Sequence, residues 1–174
     1  MSHDLSATGR VLLGMLCLGK RTGYEIKQLV DKSTRFFWAA SYGQIYPEFK
    51  RLEEQGLVVG RNEPSGARAR TVYELTDAGQ QALREWLQSD VEPLYELRDE
   101  GMLKLFFSDA LPERRVANIR AMRERFEHKL AALQSIQPPA DAPLGTRLTL
   151  GLGIGMTEWL IDWCQRTEQE LSDA

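Results

Sequence analysis

Cysteine and histidine are scarce in this 174-residue chain, with two of each. Cys17 and Cys164 stand far apart with no C-x-x-C spacing, and His3 and His128 have no ligand-spaced neighbours. That pattern argues against a disulfide framework and a zinc site, so no metal is expected. Both thiols are expected to be buried and inert, packing as small apolar groups. Long apolar runs are missing too. The most apolar late stretch, Leu148 to Ile161, carries Glu158 and follows Arg147, which makes it too short and too charged for a bilayer span. Met1-Ser2-His3-Asp4 offers no basic start before an apolar run, so no signal peptide is expected and the expected address is cytoplasmic. Nor does any nucleophile, base and acid set stand out, so neither catalysis nor a cofactor is expected.

Positive charge is also short overall, for the formal net charge is −3. The balance differs along the chain. Residues 1–90 hold 12 Lys and Arg against 11 Asp and Glu, whereas residues 91–174 hold 10 against 14. An acidic total does not exclude nucleic acid as a partner, because phosphate contact depends on a local basic surface at physiological salt. The hydrophobic share of 43% and the charged share of 27% are those of an ordinary folded chain.

What is present is helical punctuation. Thr8 to Gly19 reads as a first helix with Leu12, Leu13, Met15, Leu16 and Leu18 on a broad apolar face, stopped by Gly19. A second starts near Thr22, with Ile26, Leu29 and Val30 inward. Ser41 and Gln44 make an S-x-x-Q capping box for a third, where Ile45, Phe49 and Leu52 recur along one stripe. Pro47 falls within its first two turns, where early amides lack internal acceptors. Leu57-Val58-Val59 and Thr71 to Leu75 are β-rich runs around an arginine-loaded loop, Arg61 to Arg70, and read as a hairpin. Thr76 caps a fourth helix through Leu83 and Leu87. That order is a winged helix-turn-helix: the predicted fold is mainly α with a small β-hairpin wing, followed by C-terminal dimerisation helices. The predicted domains are 1–90, DNA-binding, and 91–174, helical and dimerising.

The third helix pairs an apolar inner stripe with an outer face of Tyr, Gln, Lys and Arg, chemistry suited to a DNA major groove. Read blandly, that face is merely solvated. Ser41, Tyr42 and Gln44 lie at the end that enters a groove. Gln44 has the amide to pair with adenine, or it is spent on the cap. Tyr46, Lys50 and Arg51 project from other faces, with Tyr46 and Lys50 as phosphate contacts that set register. Arg61, Arg68 and Arg70 suit a minor groove or its flanking phosphates, or else a soluble turn.

Several runs resemble the PadR family of bacterial transcriptional regulators. They are Leu12-Leu13-Gly14-Met15-Leu16, Gly23-Tyr24-Glu25-Ile26, Gly43-Gln44-Ile45-Tyr46-Pro47-Glu48-Phe49 through Val58, and Arg70-Thr71-Val72-Tyr73-Glu74-Leu75-Thr76-Asp77-Ala78-Gly79. The G-Q-I-Y-P run is specific, whereas L-T-x-x-G is shared among many winged-helix regulators. The resemblance implies a sequence-specific DNA-binding regulator, a repressor, acting as a homodimer on a palindromic operator. It also implies a family tyrosine at Tyr24, to touch phosphate or to pack.

Beyond Ser89 the chain changes character. A short apolar helix spans Met102 to Phe107. Pro112 opens a long amphipathic one carrying Val116, Ile119, Met122, Phe126, Leu130 and Leu133, with Arg115, Arg120, Arg123 and Glu124 on its solvated side. A Pro-rich linker, 137–143, precedes a last helix from Leu144 to Leu171. Its glycines, Gly151, Gly153 and Gly155, suit close backbone approach rather than a phosphate loop. Long amphipathic helices after a complete small domain point to a second copy as partner. Met156, Trp159 and Trp163 form either core or an effector pocket, since relatives of the resembled family sense small aromatic or drug-like ligands. The rival reading is a winged-helix protein-interaction module without DNA binding, against which Tyr46, Lys50 and the wing arginines count.

Overall fold

The structure is a computed structural model that describes residues 5–65, 68–90 and 99–173, with the side chains of residues 65, 68 and 69 outside the description. It divides into two compact units, Met1–Pro93 and Leu94–Ala174.

In the first unit, α1 (Ala7–Cys17), α2 (Gly23–Lys32) and α3 (Tyr42–Glu54) precede an antiparallel hairpin, β1 (Val58–Ser65) and β2 (Arg68–Leu75), and then α4 (Asp77–Gln88). This is a winged helix-turn-helix. Each helix start has its cap: Ser6 Oγ accepts from the Gly9 amide, Thr22 Oγ1 from Glu25, and Thr76 Oγ1 from Gly79. Such side chains satisfy amides that have no partner inside the helix. The ends of α1 and α3 are alike. Gly19 (φ +83°) and Gly56 (φ +70°) take left-handed backbone, and the Lys20 and Leu57 amides reach back to the Met15 and Leu52 carbonyls at 3.1 and 2.9 Å. Only glycine adopts that conformation without strain, so both turns are Schellman motifs.

The core of the unit joins Leu12, Leu13 and Leu16 of α1, Ile26 and Val30 of α2, and Ile45, Phe49 and Leu52 of α3. Phe49 stacks flat on Tyr73 of β2, with ring centroids 3.8 Å apart. That contact fastens α3 to the hairpin, and burying a phenylalanine contributes roughly 1.5–3 kcal/mol. Burial pushes the Tyr73 hydroxyl's pKa up, with Glu53 and Tyr46 adding to the effect.

Three expectations for this unit need correction. Cys17 is exposed, because the last turn of α1 borders an open groove rather than a packed neighbour. The hairpin pairs continuously from Val58↔Leu75 to Ser65↔Arg68, far past the short strands read from the sequence. Cross-strand pairs hold it there, Glu63 with Arg70 at 3.3 Å and Asn62 with Thr71 at 3.1 Å, and propensity undervalues such pairs. Pro64 is tolerated because a two-stranded ribbon leaves alternate amides on its outer edge. Finally, Pro47 is the sixth residue of α3, beyond the amides that lack acceptors, so the Gly43 carbonyl loses its helical donor.

The second unit contains α5 (Glu100–Phe106), two short 3-10 turns, α6 (Arg115–Gln134) and α7 (Leu144–Asp173). Ile119 and Met122 of α6 meet Cys164 of α7, with Leu105, Phe126, Trp163 and Leu171 packed around them. Cys164 is the buried thiol expected, and burial raises its pKa. The solvated side expected of α6 holds for Arg120 and Glu124, which are exposed, whereas Arg115 and Arg123 are half-buried. Arg123 Nε donates to Glu168 Oε1 at 2.7 Å and Arg120 reaches the same carboxylate at 3.4 Å, tying α6 to α7, while Arg115 pairs with Asp109. The glycines of α7 do not meet a close backbone within the described chain. Gly151 and Gly155 face open space, and Gly153 lies in ordinary contact with Leu133 at 3.7 Å. Among the described residues no helix is long and apolar enough to cross a membrane.

Candidate nucleic-acid interface

The capping box at the start of α3 sets what its N-terminal face presents. The Ser41 amide donates to Gln44 Oε1 at 2.9 Å, and Ser41 Oγ donates to the same atom at 3.1 Å. The carboxamide oxygen is thereby held while its nitrogen has no partner among the described residues. A bidentate pair with adenine uses both atoms. Gln44 therefore donates from its cap as it stands, or leaves the cap to read adenine.

One helical turn apart, Tyr42 and Tyr46 stack with centroids 6.1 Å apart and planes inclined by 14°, both about half exposed. The pair is seated by α2. Lys27 Nζ lies 5.8 Å from the Tyr42 centroid, and a Cβ on Gly23 would meet the Tyr46 ring at 2.9 Å. Gly23 and Lys27 are positioning residues that sequence reasoning missed. The i, i+4 tyrosine spacing was a signal for the stack, but nothing local shows that α2 supports it. Tyr24 does not pack. It is 58% exposed, and its hydroxyl accepts from Gln28 Nε2 at 2.7 Å.

Lys50 lies one turn beyond Tyr46 on the same stripe. It is strongly exposed, and among the described residues its one ion pair is a loose 3.9 Å contact with Glu54. Exposed pairs of this kind contribute roughly 0–1 kcal/mol and yield easily to phosphate. Arg51 is placed differently. Its Nε and guanidinium nitrogen both donate to Glu48 Oε1, at 3.1 and 2.8 Å, and the same oxygen accepts from Ser6 Oγ at 2.7 Å. Arg51 thus braces α3 against the start of α1, and the structure does not bring it to the Tyr42, Tyr46 and Lys50 stripe.

On the hairpin, Arg61 lies 3.9 Å from Glu74, which also holds Arg21 at 3.8 Å, and Arg70 pairs with Glu63. The three arginines and Glu63 are exposed, and Glu74 is half-buried. Arg68 opens β2, and its side chain lies outside the described residues. Arg21 was missed because it belongs to a turn in the sequence. Its carbonyl accepts from the Tyr73 amide at 2.7 Å, which draws it to the base of the wing. In the second unit Met156 and Trp159 are exposed on α7, whereas Trp163 packs partly into the core, so the three do not form one enclosed pocket within the described chain.

Comparison with known proteins agrees with this architecture. The model of the PadR-like transcriptional regulator family matches residues 12–85, and that of the virulence activator alpha C-terminal region matches residues 97–172. The negative transcriptional regulator PadR of Bacillus subtilis is 32% identical over 128 residues, covering 72% of this chain and 69% of that protein. The crystal structure of Bacillus subtilis PadR in complex with operator DNA superposes with a TM-score of 0.84 at 26% identity, covering 93% of this chain and 97% of that one. The same protein in complex with p-coumaric acid gives a TM-score of 0.77 at 25% identity, covering 94% and 97%. The relative is described as a negative transcriptional regulator. The chain belongs to the PadR-like family of transcriptional regulators.

Proposed function

We propose that this chain is a sequence-specific DNA-binding repressor that acts as a homodimer on a palindromic operator. The observation that carries the reading is the division of α3. Ile45, Phe49 and Leu52 are fully buried, while Tyr42, Tyr46 and Lys50 stand exposed in one row beside the capped N-terminus. Tyr46 and Lys50 contact phosphate, Ser41, Tyr42 and Gln44 enter the major groove, and Tyr24 meets the flanking backbone. Arg61, Arg68 and Arg70 follow the minor groove or its phosphates. Arg51 holds the helix in place. The operator complex of the Bacillus subtilis relative supports DNA as the partner, and its description as a negative regulator supports repression.

The homodimer is supported by α7. Leu144, Leu148, Leu152, Met156 and Trp159 are all exposed at helical spacing, a row about 22 Å long at 1.5 Å per residue. A second copy covers it. Two α3 helices would then read half-sites about one helical turn apart, or a multiple of that. The p-coumaric acid complex of the relative supports an aromatic effector. Met156 and Trp159, lodged at the dimer face beside Trp163, are the residues that would meet it.

The test is a titration of DNA from the chain's own upstream region at two salt concentrations, with a Lys50→Ala/Arg70→Ala variant alongside. Binding should be salt-sensitive, and losing two phosphate contacts should lower the salt slope by about 2. Parent and variant behaving alike on that DNA would favour the interaction-module reading.

A further inference from the structure

Between the last turn of α1, β2 and α4 the winged unit holds an open groove of about 600 Å³. That volume falls within the range of small-molecule sites. Leu16, Leu75, Leu83 and Leu87 give it an aliphatic lining, while Lys20, Arg21 and Arg84 bring three positive charges against one carboxylate, Glu74. Glu74 is already shared between Arg21 and Arg61. Among the described residues neither Lys20 nor Arg84 forms an ion pair. The one aromatic ring in the lining, Tyr73, is spent on Phe49, so aliphatic bodies fit better than a stacked aromatic one.

We propose that this groove binds a small amphipathic carboxylate, its aliphatic body on the leucines and its anionic head between Lys20 and Arg84. The groove touches two residues that bear on the DNA face. Tyr73 backs α3 through Phe49, and Glu74 holds Arg61 of the wing. An anion here draws Arg21 from Glu74 and leaves that carboxylate to Arg61, which becomes less available to phosphate. This regulatory consequence rests on the DNA-binding reading; the binding itself does not.

Cys17 lines the groove and is exposed, whereas Cys164 is buried in the other unit, so thiol chemistry reports the site locally. The full chain is treated with iodoacetamide in the presence of octanoate or its uncharged analogue octanamide, and modification is mapped by peptide mass spectrometry. Octanoate should slow Cys17 alkylation saturably. Octanamide should protect at a concentration about fivefold higher or more, and Lys20→Ala/Arg84→Ala should remove the difference. Four results overturn the proposal: no protection, equal protection by both compounds, full preference retained by the variant, or a Cys17 that does not react in the folded chain because protein fills the groove. Octanoate should also weaken DNA binding up to about fivefold, the worth of one exposed ion pair. Protection with unchanged DNA affinity overturns the regulatory consequence alone, and failure of the DNA reading shows separately in the ligand-free titration.

Discussion

Replacing Gly79 with alanine tests the joint on which the wing and α4 meet. A Cβ at Gly79 would lie 1.9 Å from the Leu57 carbonyl oxygen and 2.9 Å from its carbon. Both atoms are backbone, so no side-chain rotation relieves the clash. Relief means moving Leu57 away from α4 by well over 1 Å, since non-bonded contacts settle near 3.5 Å. The Leu57 carbonyl accepts from the Thr76 amide at 3.1 Å and takes the longer arm, also 3.1 Å, of a Thr76 hydroxyl bond whose shorter arm goes to the Gly56 carbonyl at 2.7 Å. One amide hydrogen bond at about 1 kcal/mol, plus roughly 1–3 kcal/mol of overpacking, exceeds the helix-propensity gain of about 1 kcal/mol. The net loss is about 1–3 kcal/mol, a sizeable part of the roughly 5–15 kcal/mol that holds a typical domain. Gly14 is the control. It lies inside α1 with nothing within 4 Å of its Cβ position, so Gly14→Ala should gain up to about 1 kcal/mol. Urea denaturation followed by far-UV circular dichroism measures both. If Gly79→Ala matched or exceeded the parent, the reasoning from backbone contact would be refuted, whatever Gly14 did.

Three further outcomes follow from the same geometry. Gly23→Ala meets the ring of Tyr46, an exposed side chain able to swing away, so it should cost little stability yet weaken DNA binding several-fold in the upstream-region titration; unchanged affinity would remove Tyr46 from the interface. Arg123 beside Glu168 holds that carboxyl below its ordinary value of 4.5, so the pair stabilises the fold above that value and the benefit fades as pH falls through the lowered one. Glu168→Gln should therefore cost about 1 kcal/mol at neutral pH and less in acid, as urea midpoints at pH 7 and pH 3 would reveal. Leu152→Glu places a charge in the exposed row of α7 and should yield monomers by light scattering at micromolar concentration, with a helical signal like the parent's; a dimer of undiminished strength would exclude that row as the interface.

Much of this protein was legible before any coordinates. The S-x-x-Q box, the threonine caps, the glycine stops and the 3.6-residue stripes are local signals, carried by residues within a turn or two of each other. They placed α1 to α4 and marked Tyr42, Gln44, Tyr46 and Lys50 as an outer face. Cys17 misled because it continues an apolar pattern past the point where anything packs on it. Arg51, beside the outer stripe, has its carboxylate three residues away, and that carboxylate is already bound to Ser6. Arg120 and Arg123 took a partner 45 or more residues distant, which no periodicity within α6 reveals.

The division has a physical basis. Capping, turn conformation and amphipathic period depend on neighbours along the chain, so the sequence by itself determined the helices, the hairpin, the order that makes a winged helix-turn-helix and the residues on the outer side of α3. Contacts between elements depend on how side chains meet in space. Only the tertiary structure decided that Gly23 and Lys27 seat the tyrosine pair, that Phe49 and Tyr73 lock α3 to the wing, that Gly79 must lack a Cβ because Leu57 lies against it, and that Cys17, Lys20 and Arg84 share one groove.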